Sequence, residues 1–359
     1  MEYDNRTFIS IVLPCYNEEA ILQFNLNAII NYLKSKSEKY NWEIILVNDG
    51  SKDNTGNIAE RIALTETKIR VIHHPVNLNL GRALQTGFLH SKGDIIVVLD
   101  VDLSYSVEHI EKMVDTLIAT MADIVIASPY MKGGKVTAVP FARRVMSKTI
   151  NRMMRIASSS QDKVSTFTGM VRAYRSSFIR SVNLKTTDYE VNPEIIYKAE
   201  LLRARIIEIP AHLDWTEQNK FAKTRKSSIR LFRGFLSGLM TAFIFRPYFL
   251  FMGIGTILLC LSLYELLWLL YDTLTALETV LIQIPKVEFP FSYSLILQFQ
   301  KNPQSFIIGG TTFITAIQFL SLGFISLQNK RYFEELFHLC TSIRKQNETV
   351  APSKKKQQF

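Results

Sequence analysis

Asp94-Ile95-Ile96-Val97-Val98-Leu99-Asp100-Val101-Asp102 decides the fold, because a short apolar run breaks off into two carboxylates spaced one residue apart. Five consecutive apolar side chains bounded by acids read as a strand buried on both faces, the pattern of a parallel sheet covered by helices. Ligands of such sheets bind outside the carboxyl ends of the strands, where Asp100 and Asp102 emerge. Two carboxylates there can place oxygen ligands around one hard divalent cation, Mg²⁺ or Mn²⁺. An isolated Asp-x-Asp is also a common solvated turn, so the order of the surrounding motifs carries the reading.

Working outward, strand and helix patterns alternate from Phe8 to about Ala127. Phe8 to Leu13 is an apolar run closed by Pro14, and Leu22, Leu26, Ile29, Ile30 and Leu33 then fall on one helical face. Trp42 to Val47, Ile69 to Ile72 and Ile124 to Ala127 read as further strands, separated by helices over Asp53 to about Thr65, about Leu80 to His90, and Val107 to Thr120. This alternation predicts an α/β fold with a mostly parallel sheet. Beyond Tyr130 the pattern loosens. Met131-Lys132-Gly133-Gly134 reads as a mobile loop, and Phe141 to about Ser158 as a helix studded with Arg143, Arg144, Lys148, Arg152 and Arg155. Signals resume at Val171 to Tyr174, Val191 to Arg203 and Arg205 to Ile209.

The last third of the chain has a different composition. Tyr248 to Tyr271 is apolar except for Glu265, and about Ser305 to Leu327 contains no charge. Each exceeds the roughly 20 residues that cross a bilayer as a helix. Charge in mid-membrane is costly, so Glu265 is expected to face the partner helix or water. The net charge of +10 is concentrated beside these spans, from Lys220 to Arg246 before the first and from Lys330 to Lys356 after the second. The segment between them, about Asp272 to Gln304, has Lys286 and Lys301 as its only basic residues, which predicts both chain ends in the cytoplasm and the connecting loop outside. Basic residues gathered beside spans speak for a lipid bilayer as partner and against nucleic acid. The start of the chain is polar and enters a strand by Phe8, so no signal peptide is expected there. Cys15, Cys260 and Cys340 are too scattered for a disulfide framework or a zinc site. The expected divisions are an α/β domain over 1–226, an amphipathic interfacial helix over 227–246, a transmembrane hairpin with an external loop over 247–328, and a basic cytoplasmic tail over 329–359. Packing of 227–246 against the soluble domain is the alternative for that helix.

The other strand ends carry polar clusters. After the first comes Pro14-Cys15-Tyr16-Asn17-Glu18-Glu19, with Asn17 an expected helix cap and the two acids complementing the helix dipole. After the second comes Asn48-Asp49-Gly50-Ser51-Lys52-Asp53, where Asp49 can accept from a base or ribose and Asp53 is expected to cap a helix. No GxGxxG fingerprint is present, which disfavours a dinucleotide site. His73 and His74 would point to opposite faces of a strand and cannot readily chelate one ion, so they read as structural. Glu190 and Glu194, one helical turn apart, could supply a base for a hydroxyl acceptor, or simply be exposed helix residues.

Taken together, IVLPCYNEE, EIILVNDGSKDNT, NLGRALQTG, DIIVVLDVD and FARRVMSKTIN, with TGMVRAYR and the basic stretch from Lys223 to Arg230 as looser matches, resemble family 2 glycosyltransferases, and within them the polyprenyl-phosphate sugar transferases of the dolichyl-phosphate mannosyltransferase type. The resemblance covers most of Phe8 to about Arg246. It implies a Rossmann-like GT-A domain for a nucleotide-sugar donor (a GDP- or UDP-sugar), with base and ribose contacts near Pro14, Tyr16, Glu18 and Asp49, a metal–diphosphate site at Asp100 and Asp102, and inversion at the anomeric carbon. Three departures stand out: Ser104 occupies a third-ligand position, Pro129 replaces a common arginine, and TGMVRAYR differs from the usual Ser-Gly-Phe-Arg form.

The acceptor implied is a polyprenyl phosphate or another lipid. A lipid phosphate is already ionised near neutral pH and needs no strong base, but two phosphates must be held together. Arg143, Arg144 and Arg225 are the expected phosphate ligands, with Arg144 grouped with Asp100 and Asp102 as catalytic, because guanidinium binds phosphate bidentately. Solvated or lipid-facing charge is the alternative for each. Transfer to a hydroxyl of a lipid-linked glycan, and a non-catalytic membrane scaffold, are the competing functions. The sequence fixes no oligomeric state.

Overall fold

The computed structural model describes residues 6–158, 164–216, 247–284 and 287–354. The predicted interfacial helix and Arg225 lie outside them. The chain divides into two units, Met1–Ala242 and Phe243–Phe359.

In the first unit the expected alternation appears as β1 (Thr7–Cys15), α1 (Leu22–Ser35), β2 (Tyr40–Asn48), α2 (Thr55–Thr65), β3 (Ile69–His73), α3 (Leu80–His90), β4 (Ile95–Val98), α4 (His109–Thr120) and β5 (Ile124–Ser128). There follow β6 (Lys135–Thr137), α5 (Phe141–Ala157), β7 (Arg172–Arg175), α6 (Ser176–Ser181), α7 (Val191–Leu201), β8 (Ile206–Pro210) and β9 (His212–Asp214). One sheet has the order β3-β2-β1-β4-β7-β5-β8, and β6 pairs with β9 in a small second sheet. All neighbours in the large sheet are parallel except β7, which runs antiparallel to both β4 and β5.

Alternate residues of the strands feed two cores, as the two-residue period of a strand requires. Ile9, Ile11, Leu13, Ile44, Leu46, Val97 and Leu99 pack with α1 and α4, whereas Val12, Ile45, Val47, Ile96 and Val98 pack with α3, α6 and α7. The apolar stripe of α1 buries Leu22, Leu26, Ile29, Ile30 and Leu33, the residues its sequence period selects. Burial on both faces is why these strands lack the alternation of a half-exposed sheet. Met131–Gly134, expected to be a loop, forms a turn closed by the Gly134 amide on the Met131 carbonyl (3.0 Å).

The second unit comprises α8 (Pro247–Gln283), α9 (Pro290–Lys301) and α10 (Pro303–Lys354). Pro247–Gln283 and Pro303–Leu336 are long and apolar enough to cross a membrane. Little of either is buried in the protein, which is not the pattern of a soluble core helix. The segment read as an external loop is partly helical: α8 continues to Gln283, and α9 packs on it through the Gln298 amide, which donates to the Asp272 carbonyl (3.2 Å). The spans are antiparallel. Tyr248 meets Lys330, whose ammonium lies 5.4 Å from the ring centre. Gly255 lies against Leu320 and Gly323 against Met252, with no room for a side chain at either glycine. Glu265 lies on the face toward the second span, its Cβ beside Gly309, as its charge requires.

Candidate functional site

The loops leaving β1, β2 and β4 gather at the carboxyl edge of the sheet. The first two are laced together. Asn17 donates its backbone N–H to Ser51 Oγ (3.0 Å) and accepts from the Lys52 amide (2.8 Å), while the Glu18 amide donates to Thr55 Oγ1 (2.8 Å). Asn17 therefore does not cap α1, which starts at Leu22; it has φ 55°, a left-handed conformation that asparagine tolerates. Asp53, expected as a helix cap, sits one residue ahead of Asn54, which holds the cap position of α2, and it receives the Thr55 amide (3.0 Å) and hydroxyl (2.6 Å) on Oδ1 and the Glu19 amide (3.2 Å) on Oδ2. Burial pushes its carboxyl up, but the hydrogen bonds from Thr55 and the Glu19 amide outweigh this and hold it below the usual range. Pro14 is in register with Val47 inside the sheet, and Tyr16 is left exposed at the edge.

Asp100 and Asp102 flank a tight turn in which the Leu103 amide donates to the Asp100 carbonyl (3.2 Å). Leu103 has φ 49°, a conformation that costs about 1 kcal/mol or more for a residue with a Cβ and that recurs at functional sites. The carbonyl between the two acids, that of Val101, accepts from Asn25 Nδ2 (2.8 Å), so α1 fixes the height of the turn. Asp102 Oδ1 accepts from the Ser104 amide (2.9 Å). Ser104 is buried, and its carbonyl accepts from the Asp214 amide (2.9 Å), which ties the turn to β9. The Asp100 carboxyl is pushed well up by burial, then by the charges of Asp102 and Glu18. Glu18 also acts on the buried Cys15 thiol, which burial first and that charge second push up, leaving it unreactive. Glu18, Asp100 and Asp102 thus form one negative patch.

Among the described residues no three His, Cys, Asp or Glu side chains form a ready-made metal cage. The patch nonetheless fits a divalent ion. Mg²⁺ characteristically takes only one or two carboxylates from protein and completes its shell with water and substrate phosphates. A carboxyl crowded by like charges is stabilised in its ionised form when a cation joins it.

Asp49 is buried, and its partners come from the loop that follows β3. Its Oδ1 is 2.6 Å from His74 Nδ1 and accepts from the Leu78 amide (2.9 Å), and His74 Nε2 is 2.9 Å from Thr86 Oγ1 on α3. His73 points the other way, to Asn48 (2.9 Å) and Glu60 (2.9 Å), so the two histidines diverge as their strand geometry predicts. Gly50 has φ +65°, and a Cβ there would come within 2.2 Å of the Val76 carbonyl carbon. Only glycine lets the two loops close on each other at that point.

The arginines and glutamates divide. Arg143 is exposed and stacks on Trp215, 4.4 Å from the ring centre; Arg144 is half-buried, 5.9 Å from the Phe141 ring. Glu190 is half-buried just ahead of α7. Glu194 requires a correction. It is buried and binds Lys198 Nζ (2.5 Å), the Thr186 hydroxyl (2.5 Å), the Thr186 amide (3.0 Å) and the Lys185 amide (2.9 Å). Burial pushes its carboxyl up, but Lys198 and then Thr186 outweigh this and hold it below the usual range. A carboxylate so committed pins a loop and is no free base.

Arg172, unmarked by the sequence reading, is fully buried on β7 and donates to the carbonyls of Asn192 (3.0 Å) and Phe167 (2.6 Å). It ties the loop after α5 to the start of α7. A four-residue strand flanked by arginines gives no pattern by which this could be read in advance.

The acidic pair stands at the end of the central strand of an α/β sheet, and the sequence comparisons identify the family. Residues 10–182 match Glycosyl transferase family 2, so the first unit of this chain is a family 2 glycosyltransferase domain. The chain is 31% identical over 217 residues to a dolichyl-phosphate beta-glucosyltransferase of Trichomonas vaginalis, covering 58% of this chain and 66% of that one. It is 31% identical over 206 residues to a dolichol-phosphate mannosyltransferase of Pyrococcus furiosus, covering 56% and 55%. With a polyprenol monophosphomannose synthase of Mycolicibacterium smegmatis it shares 29% identity over 228 residues, covering 61% and 82%. The match therefore spans a little over half to about two thirds of the first two relatives.

Proposed function

We propose that the protein is a membrane-bound hexosyltransferase that moves a sugar from a nucleotide-sugar donor to a polyprenyl or dolichyl phosphate, with inversion at the anomeric carbon. The acidic patch of Glu18, Asp100 and Asp102 at the sheet edge of a family 2 domain carries this reading. The relatives' names support the acceptor class, and two membrane-length helices on the same chain suit an acceptor that stays in the bilayer.

In this reading Asp102 and Asp100 hold a Mg²⁺ or Mn²⁺ ion, which when bound offsets the charge developing on the departing nucleoside diphosphate. Pro14, Tyr16, Glu18 and Asp49 hold base and ribose, and Asn25 keeps the acidic turn in place through the Val101 carbonyl. An ionised acceptor phosphate attacks without a base, so the commitment of Glu194 to Lys198 costs this mechanism nothing. Incubating the purified protein with radiolabelled UDP- and GDP-sugars, Mn²⁺, and either polyprenyl phosphate or a hydroxyl acceptor tests the reading. Label entering only the hydroxyl acceptor, or neither, overturns it.

Arg144 and Arg225 are assigned to the acceptor phosphate. Arg144→Ala and Arg225→Ala are expected to lower transfer at subsaturating donor and acceptor by about tenfold or more without a matching fall in melting temperature. Lysine at either position should restore only part of the rate, because it keeps the charge but loses the planar fork. Wild-type rates in both alanine variants would make these arginines ordinary surface charge.

The basic flanks predict that the catalytic unit and the chain end share the cytoplasmic side. In a protein freed of Cys15, Cys260 and Cys340, a cysteine from Glu288→Cys should label from outside, and one from Gln357→Cys only after permeabilisation. The reverse pattern rejects the topology.

A further inference from the structure

The clamp on Asp49 bears on which nucleotide the site accepts. A carboxylate only accepts hydrogen bonds, so with Asp49 ionised the hydrogen between it and His74 resides on Nδ1 of the ring. On its far side Nε2 lies 2.9 Å from the Thr86 hydroxyl, so α3 holds the imidazole against the carboxylate. Oδ1 receives two donors, His74 Nδ1 at 2.6 Å and the Leu78 amide at 2.9 Å. Both side chains are nearly enclosed, 9% exposed for His74 and 5% for Asp49. The loop that supplies Leu78 is pressed against the Gly50 turn, so the carboxylate has little freedom to rotate. Among the described residues no protein group donates to Oδ2. Asp49 therefore keeps one acceptor oxygen without a protein donor, not two.

The two bases considered for the donor differ at the edge such a carboxylate would read. Guanine presents N1–H and N2–H side by side, a pair that suits both oxygens of a free carboxylate. Uracil presents a single imide N–H between two carbonyls. We propose that His74 and the Leu78 amide, by occupying Oδ1, make Asp49 a one-oxygen reader that selects uracil, so that the donor is a uridine diphosphate sugar and His74 is the positioning residue that sets the preference. This rests on the donor-binding role assigned to Asp49 above. Guanine would bring its second N–H against an oxygen that already holds two donors, and an unpaired polar group in a closed site is a strong means of rejection.

The test is calorimetric titration of the full-length protein in detergent with UDP and with GDP, each with Mn²⁺. UDP is expected to bind at least about tenfold more tightly than GDP. His74→Phe leaves Oδ1 with only the Leu78 amide, opening one acceptor position on it, and should weaken UDP binding about tenfold while bringing the UDP-to-GDP ratio toward one. Thr86→Val, which removes only the far support of the ring, should shift the ratio in the same direction by less and provides the test if His74→Phe fails to fold. A merely structural role for His74 would lower the melting temperature without moving that ratio. GDP binding as tightly as UDP, or an unchanged ratio in the folded variants, overturns the proposal and leaves the donor site standing. Failure of both nucleotides to bind overturns the donor-site reading itself, and the proposal with it.

Discussion

Folded Asp102→Asn protein is expected to transfer sugar about a thousandfold more slowly than wild type, equivalent to roughly 4 kcal/mol of transition-state stabilisation. The amide keeps the size of the side chain and can still accept the Ser104 hydrogen bond, so the turn should survive. What it lacks is the negative charge that, in the proposed function, would hold a divalent ion against the donor diphosphate. Initial rates at limiting Mn²⁺, with far-ultraviolet circular dichroism as the control for folding, make the comparison. Near-normal transfer at limiting Mn²⁺ would remove Asp102 from the metal site.

Replacing the buried Glu194 should act on stability. Glu194→Gln leaves the Lys198 ammonium buried without its counter-charge, which costs about 3–5 kcal/mol. For a unit of this size that corresponds to a melting temperature lower by roughly 10 °C. The pH dependence has a definite sign. The Glu194 carboxyl lies below its ordinary range in the folded protein, so its contribution is complete above the unfolded value and fades as pH falls through the folded one. The gap in melting temperature between wild type and Glu194→Gln should therefore be widest near neutrality and shrink in acid. A gap that stays constant with pH would mean that the ion pair is not its source.

Much of the domain was legible because its signals are local. The run Ile95–Leu99 with acids at its end marks a buried strand and the acidic turn that follows it in nine residues, and the stripe from Leu22 to Leu33 marks the buried face of α1. What escaped depends on partners distant in sequence. Nothing near Asp49 shows that His74, 25 residues on, fixes one of its oxygens. Glu194 has the same helical spacing from Glu190 whether it faces solvent or Lys198, and only the packed loop at Lys185–Thr186 decides between them. Asn17 looks like a cap until the Lys52 amide takes its side chain. The spans were legible by composition; α9 was not, because its twelve residues fall in a segment read as a loop.

The antiparallel strand β7 also governs when the domain can close during synthesis. β1, β2, β3 and β4 can assemble as soon as residue 98 has left the ribosome, but β4 then waits with one edge bare until residues 172–175 arrive. Over the same interval β5 has neither of its neighbours, since β7 and β8 both come later in the chain. At about 5–20 residues per second the nascent chain spends several seconds with the apolar edge Ile95-Ile96-Val97-Val98 open to pairing with other chains. Chains that terminate before Arg175 retain that open edge for good, and aggregation is their expected fate.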